Sequence, residues 1–75
     1  MVIYVRNGLE TYDVSVADGV ATIVVPSWST VTEHQAGDLV NQARVKLISL
    51  VQRKHLPHMP RVEVCWELEG DNNGK

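Results

Sequence analysis

The chain has 75 residues, with 7 Lys and Arg against 9 Asp and Glu, a formal net charge of −2 and 44% hydrophobic residues. That length leaves no room for a second domain of normal size, the hydrophobic fraction argues against disorder, and the lack of a basic excess argues against a protein built to neutralise nucleic-acid phosphates. Folding at this size buries only about 60% of the surface of the extended chain, so an isolated monomer is marginal and a homo-oligomer, most simply a dimer, is expected.

Cys65 is the sole cysteine, so packing rather than an internal disulfide must hold the fold. The apolar run at Met1–Arg6 is too short for a secretory signal, and no stretch approaches the roughly 20 apolar residues of a membrane span. A cytoplasmic, unprocessed protein without a membrane segment is the expectation.

The first 25 residues carry two turn signals, Asn7-Gly8 and Asp18-Gly19, each flanked by alternating and β-branched residues. Both dipeptides suit two-residue type I′ hairpins, which predicts a meander of strands at 2–6, 9–17 and 20–25. A loop at 18–19 sets Ala17 opposite Val20, Val16 opposite Ala21, Val14 opposite Ile23 and Tyr12 opposite Val25. A loop at 7–8 sets Ile3 opposite Tyr12 and Met1 opposite Val14, which gathers the apolar residues on one face but leaves Val5 opposite Glu10. The other face is mixed, carrying Thr11, Asp13, Ser15, Ala17 and Thr22 together with Tyr4, Leu9, Val20 and Val24.

Pro26 stops the third strand, and Ser27-Trp28-Ser29-Thr30 reads as a connector. Two capping boxes compete to start the helix, Thr30-x-x-Glu33 and Thr32-x-x-Gln35. Between Val31 and His55, the residues Ala36, Leu39, Val40, Ala43, Leu47, Leu50 and Val51 fall within an arc of about 120°, the stripe of a helix lying on a core. Basic residues at 53–55 suit the helix C-terminus, and Pro57 and Pro60 forbid continuation. From Arg61 to Glu69, Val62, Val64, Trp66 and Leu68 alternate with Arg61, Glu63, Cys65, Glu67 and Glu69, predicting a half-buried strand.

The fold class is therefore α+β in two layers and the order β-β-β-α-β: an antiparallel three-stranded meander plus a fourth strand, with one long helix on one face. One domain is expected over 1–69, with 70–75 expected to be a disordered tail. A right-handed crossover allows the last strand to return beside and parallel to the first.

Tyr12 to Asp18-Gly19, Val20 to Pro26, Thr30 to Glu33 and the strand after Pro60 follow one another in an order that resembles the HicB-like antitoxin domains, a truncated ribonuclease-H-like fold. Where that family has a Pro-Asp-Leu-Pro-Gly run, this chain has Pro26-Ser27-Trp28-Ser29-Thr30. The resemblance implies a cover for a protein partner such as a small ribonuclease toxin. The residues that carry the resemblance do not include the family's C-terminal DNA-binding segment, so DNA-binding autoregulation is not carried over as an expectation.

Residues that carry chemistry are sparse. His55 and His58, with His34 and Cys65, lack the tight spacing of a zinc site, and Cys65 has only His34 as an imaginable base. Glu63, Glu67 and Glu69 recur on one strand face with Asp13 and Glu10 elsewhere, which reads as a solvated acidic face. Arg44, Arg53, Lys54 and Arg61 form no single stripe. No metal and no cofactor are expected. Val45 and Ile48 lie off the helix stripe, and with Tyr4, Leu9, Val20, Val24 and Trp28 they make the candidate interface. The expected function is a non-enzymatic protein-interaction module, self-associating or covering a protein partner. A small metal-dependent hydrolase or nuclease and a nucleic-acid-binding accessory protein are the alternatives.

Overall fold

The computed structural model describes residues 1–67 and contains β1 (Val2–Asn7), β2 (Glu10–Ala17), β3 (Val20–Val25), α1 (Glu33–Gln52) and β4 (Arg61–Trp66). The expected order and class are found: one four-stranded sheet with the helix between β3 and β4, covering one face. The predicted tail at 70–75, and the predicted end of the last strand at Leu68 and Glu69, lie outside the described residues.

The two hairpins illustrate how turn chemistry sets register. At the second, Asp18 and Gly19 both have positive φ, 54° and 78°, the signature of a type I′ loop. It pairs Ala17 with Val20, Val16 with Ala21 and Val14 with Ile23, as the sequence predicts. The expected continuation to Tyr12 opposite Val25 is not made, because the β2–β3 ladder ends at Val14 and Ile23. At the first hairpin the loop is Gly8-Leu9, not Asn7-Gly8. Gly8 alone has positive φ, 63°, which is the type II′ pattern with glycine leading.

The register consequently moves by two, to Val5 opposite Tyr12 and Ile3 opposite Val14. This replaces the awkward Val5–Glu10 pair with an aromatic–β-branched pair inside the core. It also takes Leu9 off the strand and places it at the hairpin tip, where it is 97% exposed.

The fourth strand lies beside β3 and parallel to it, with Ala21 opposite Val62 and Ile23 opposite Val64, rather than beside β1. A β-α-β unit with neighbouring strands needs the shortest return path. The edge of β1 is also already engaged by side chains of α1, described below, where a fourth strand would have to hydrogen-bond.

The helix starts at the second of the two capping boxes. The Thr32 hydroxyl accepts from the Gln35 N–H at 3.2 Å while the Gln35 side chain accepts from the Thr32 N–H at 3.0 Å. Val31 and Ala36, on either side of that cap, are both buried, as in a hydrophobic staple. The C-terminus closes as a Schellman motif: the His55 N–H donates to the Leu50 carbonyl at 2.9 Å and the Lys54 N–H to the Val51 carbonyl at 3.0 Å. Lys54 occupies the left-handed position with φ 64°. The helix is therefore shorter at both ends than the sequence pattern alone suggests.

The core unites Val5, Tyr12, Val14, Val16, Ala21, Ile23 and Val25 of the sheet with Val31, Ala36, Leu39, Ala43 and Leu47. Val62 and Val64 of β4 are only half-buried against it.

A side chain other than glycine in the left-handed position at the helix end carries a Cβ–carbonyl clash. We therefore expect Lys54→Gly to stabilise the protein by about 1 kcal/mol, read as a raised urea midpoint at unchanged slope.

Candidate functional site

Backbone direction along β1 decides which groups face its free edge. Residues flanking a two-residue loop exchange both backbone bonds, so Asn7, Val5 and Ile3 turn their N–H and C=O toward β2, while Arg6, Tyr4 and Val2 turn theirs outward. The Met1–Val16 bonds at the far end keep the same alternation. An outward row of this kind is a template for another strand.

Helix α1 occupies that template. The Gln42 side-chain carbonyl accepts from the Arg6 N–H at 2.9 Å, and its Nε2 donates to the Arg6 carbonyl at 2.6 Å. One turn further on, Lys46 Nζ donates to the Tyr4 carbonyl. The Gln42 amide thus makes the pair of bonds that a neighbouring strand would make. Removing both groups exposes Arg6 and Tyr4 to other chains. Gln42→Ala/Lys46→Ala is expected to cost little stability, because the freed groups can be hydrated, but to raise aggregation on mild heating, followed by light scattering.

The open face of the sheet, away from the helix, carries Val2, Tyr4 and Arg6 on β1, Thr11, Asp13, Ser15 and Ala17 on β2, Val20, Thr22 and Val24 on β3, and Arg61, Glu63 and Cys65 on β4. Of the candidate interface residues, this face holds Tyr4, Val20 and Val24. Tyr4 is 52% exposed, whereas Val20 and Val24 are half-buried between neighbouring strands. Leu9 is not among them, since it sits at the hairpin tip. Val45, 68% exposed, and Ile48 lie on the helix away from the buried stripe, as the sequence periodicity implies.

Trp28 belongs to a separate feature. The Ser29 N–H donates to the Pro26 carbonyl at 3.0 Å, forming a turn that lays Trp28 on Tyr12, with ring centroids 6.1 Å apart and planes 19° apart. The turn lies where the β2–β3 ladder stops. A cleft of about 190 Å³ opens there between Thr11–Asp13, Val24, Pro26 and Trp28.

Tyr12 itself is buried but ends in a polar chain. Its hydroxyl donates to Glu10 Oε1 at 2.6 Å, so Ser29 Oγ, 2.7 Å away, supplies its proton to the Tyr12 oxygen. Ser29 Oγ in turn accepts from the Val31 N–H at 3.1 Å. This chain ties the end of β2 to the connector that delivers the helix cap.

The remaining sequence candidates are dispersed. His34 lies in the first turn of α1, whereas His55 and His58 follow its far end. Asp13 lies on β2 just past the end of its ladder with β3, across a cleft from Val24, and outside the Ser15–Thr22–Glu63 row. Glu63 is paired with Arg61, 2.9 Å away on the same strand face. Among the described residues no three His, Cys, Asp or Glu side chains come together in a geometry that could hold a metal ion. No helix among them is long and apolar enough to cross a membrane.

The edge of β4 is the feature that sequence reasoning missed. Arg61 donates to the Gly19 carbonyl at 2.9 Å and Glu67 to the Val25 carbonyl at 2.8 Å. Residues 61, 63, 65 and 67 therefore turn their backbone groups toward β3, and Val62, Val64 and Trp66 turn theirs outward. Among the described residues nothing pairs with that outer row. Side-chain alternation reports which face a residue occupies, not which strand ends a sheet, so no sequence signal marked it.

Burial, then the hydrogen bond to the Glu10 carboxylate, pushes the Tyr12 phenol above its usual pKa, with the Ser29 hydrogen bond working the other way. The folded state thus favours the neutral phenol. Its contribution is complete below the ordinary phenol value of about 10 and is lost as pH rises through the higher folded value. Tyr12→Phe is expected to cost about 1–2 kcal/mol at neutral pH. In urea titrations the gap to the parent should narrow above about pH 10, and a constant gap would contradict the assignment.

Comparison with protein-family models, with curated proteins and with solved structures finds no match for this chain.

Proposed function

We propose that this protein is a non-enzymatic protein-interaction module that works by self-association. The observation that supports this reading is the distribution of apolar side chains around a sheet with one covered face. Tyr4 stands on the open face, Val45 and Ile48 on the outer helix, and Trp66 at the end of β4, all substantially exposed. Exposed apolar residues occurring singly are ordinary; several around a 75-residue domain with a small core supply the area that a second chain would bury. A protein partner of the kind the HicB-like resemblance implies, a small toxin, would compete for the same surfaces.

Light scattering across a concentration series tests the reading. A species of twice the 8.4 kDa chain mass is expected to dominate at high concentration. Of Tyr4→Glu, Val45→Glu and Ile48→Glu, at least one should shift the equilibrium toward monomer. A monomer at every concentration, with all three substitutions silent, would overturn it.

A further inference from the structure

Resting on that reading, we propose that the second copy docks on the outer edge of β4, the two strands pairing antiparallel about Val64 so that the sheets of two chains become one eight-stranded sheet.

The edge is open in the way this requires. Val62, Val64 and Trp66 present their N–H and C=O outward, whereas the opposite edge of the sheet is occupied by Gln42 and Lys46. Among the described residues pairing therefore has one edge to use, and two copies of a single edge related by a two-fold axis must run antiparallel. With that axis perpendicular to the sheet, both helices lie on the same side. Ile48, 46% exposed, lies on the outer surface of α1, on the half turned away from Gln42 and Lys46. Trp66 is 39% exposed although its register places it on the helix side, so it stands uncovered along the seam.

Charge chooses the register. Directly opposite residues must share a face, so the pairing can centre on Glu63, Val64 or Cys65, each one residue from the next. Centring on Glu63 sets that carboxylate against its own copy. Centring on Cys65 sets Glu63 against Glu67. Centring on Val64 sets Arg61 against Glu67 of the second copy, twice by symmetry, with Glu63 opposite Cys65 and Val62 opposite Trp66. Centring on Val62 would join Arg61 to Glu63, but it pairs only residues 60–64 and sets Pro60, which has no N–H, opposite Val64. Among the three registers that pair more of the strand, only the one about Val64 joins opposite charges and avoids carboxylate pairs, and it also makes two aromatic–β-branched contacts on the helix side.

Disulfide trapping reads the register directly. Positions 63 and 65 turn their backbone groups away from the seam, so across it they form a non-hydrogen-bonded pair with Cα atoms about 4.5 Å apart, inside the range of a disulfide. Within one strand the same two positions carry parallel side chains, so their Cβ atoms stay about 6.6 Å apart, well beyond the roughly 4 Å that a disulfide spans. Glu63→Cys leaves the two Arg61–Glu67 pairs to hold the register, and its mild oxidation should give a covalent dimer whose proteolytic fragments join position 63 of one chain to Cys65 of the other. Links joining 63 to 63, or 65 to 65, overturn the register.

Association of the unmodified protein is measured alongside by sedimentation. Arg61→Glu and Glu67→Arg should each weaken the dimer by about tenfold, and the two together should restore it. A dimer that is unmoved by these charge changes and yields no cross-link overturns the edge pairing while leaving self-association standing. A monomer throughout overturns both.

Discussion

One helix cannot cover four strands. Strands lie about 4.8 Å apart, so the axes of four span about 14 Å, while a helix with its side chains is about 10–12 Å across. The 20-residue α1 must favour one side, and it reaches the β1 edge through Gln42 and Lys46. The burial of the sheet records the consequence. Val5, Tyr12, Val14, Ala21 and Ile23 are fully enclosed, while Val62 and Val64 on β4 are half-buried and Trp66 stands out.

What steers the helix to that side lies in the connector. The Val31–Ser29–Tyr12–Glu10 chain of hydrogen bonds fixes where the chain leaves β3 relative to β2, and the capping box at Thr32 begins the helix immediately afterwards. Trp28 lies on Tyr12 at the point where β2 and β3 part, so the ring that fills the core also anchors the loop above it. Packing and polar bonding here act on the same residue. The hydroxyl of Tyr12 has partners within reach on both sides, which removes the cost of burying it.

Much of this fold is legible in the sequence, and the failures have specific physical causes. Asp18-Gly19 admits one reading, since both residues tolerate positive φ and the flanking pattern agrees. Asn7-Gly8-Leu9 admits two, a type I′ loop at 7–8 or a type II′ loop at 8–9, and the registers differ by two residues. A shift of two preserves every side chain's face, so the hydrophobic pattern could not separate them; the Val5–Glu10 mismatch was the one visible sign. Lateral strand order is invisible to alternation for the same reason, which is why β4 was expected beside β1. The exposed residues Val45 and Ile48 were readable because helical periodicity reports angle. The edge of β4 was not, because an unpaired backbone edge has no side-chain signature.

The two edges differ in what they demand of the monomer. At β1 the outward groups of Arg6 and Tyr4 are satisfied internally, so a strand arriving there must first displace Gln42 and Lys46. At β4 no described residue bonds the outward groups, so an arriving strand has none of these to displace. Pairing about Val64 would make about six backbone bonds, each worth about 0.5–1.5 kcal/mol net. Association itself costs about 4–15 kcal/mol in lost freedom. Hydrogen bonding alone therefore comes close to balance and cannot hold two chains together with useful affinity. The deciding contribution must come from apolar area along the seam, at about 25 cal/mol per Å², and Trp66 and Val62 are the side chains placed to supply it. In the proposed dimer the edge would supply direction and register, and the residues that the helix fails to cover would supply the affinity.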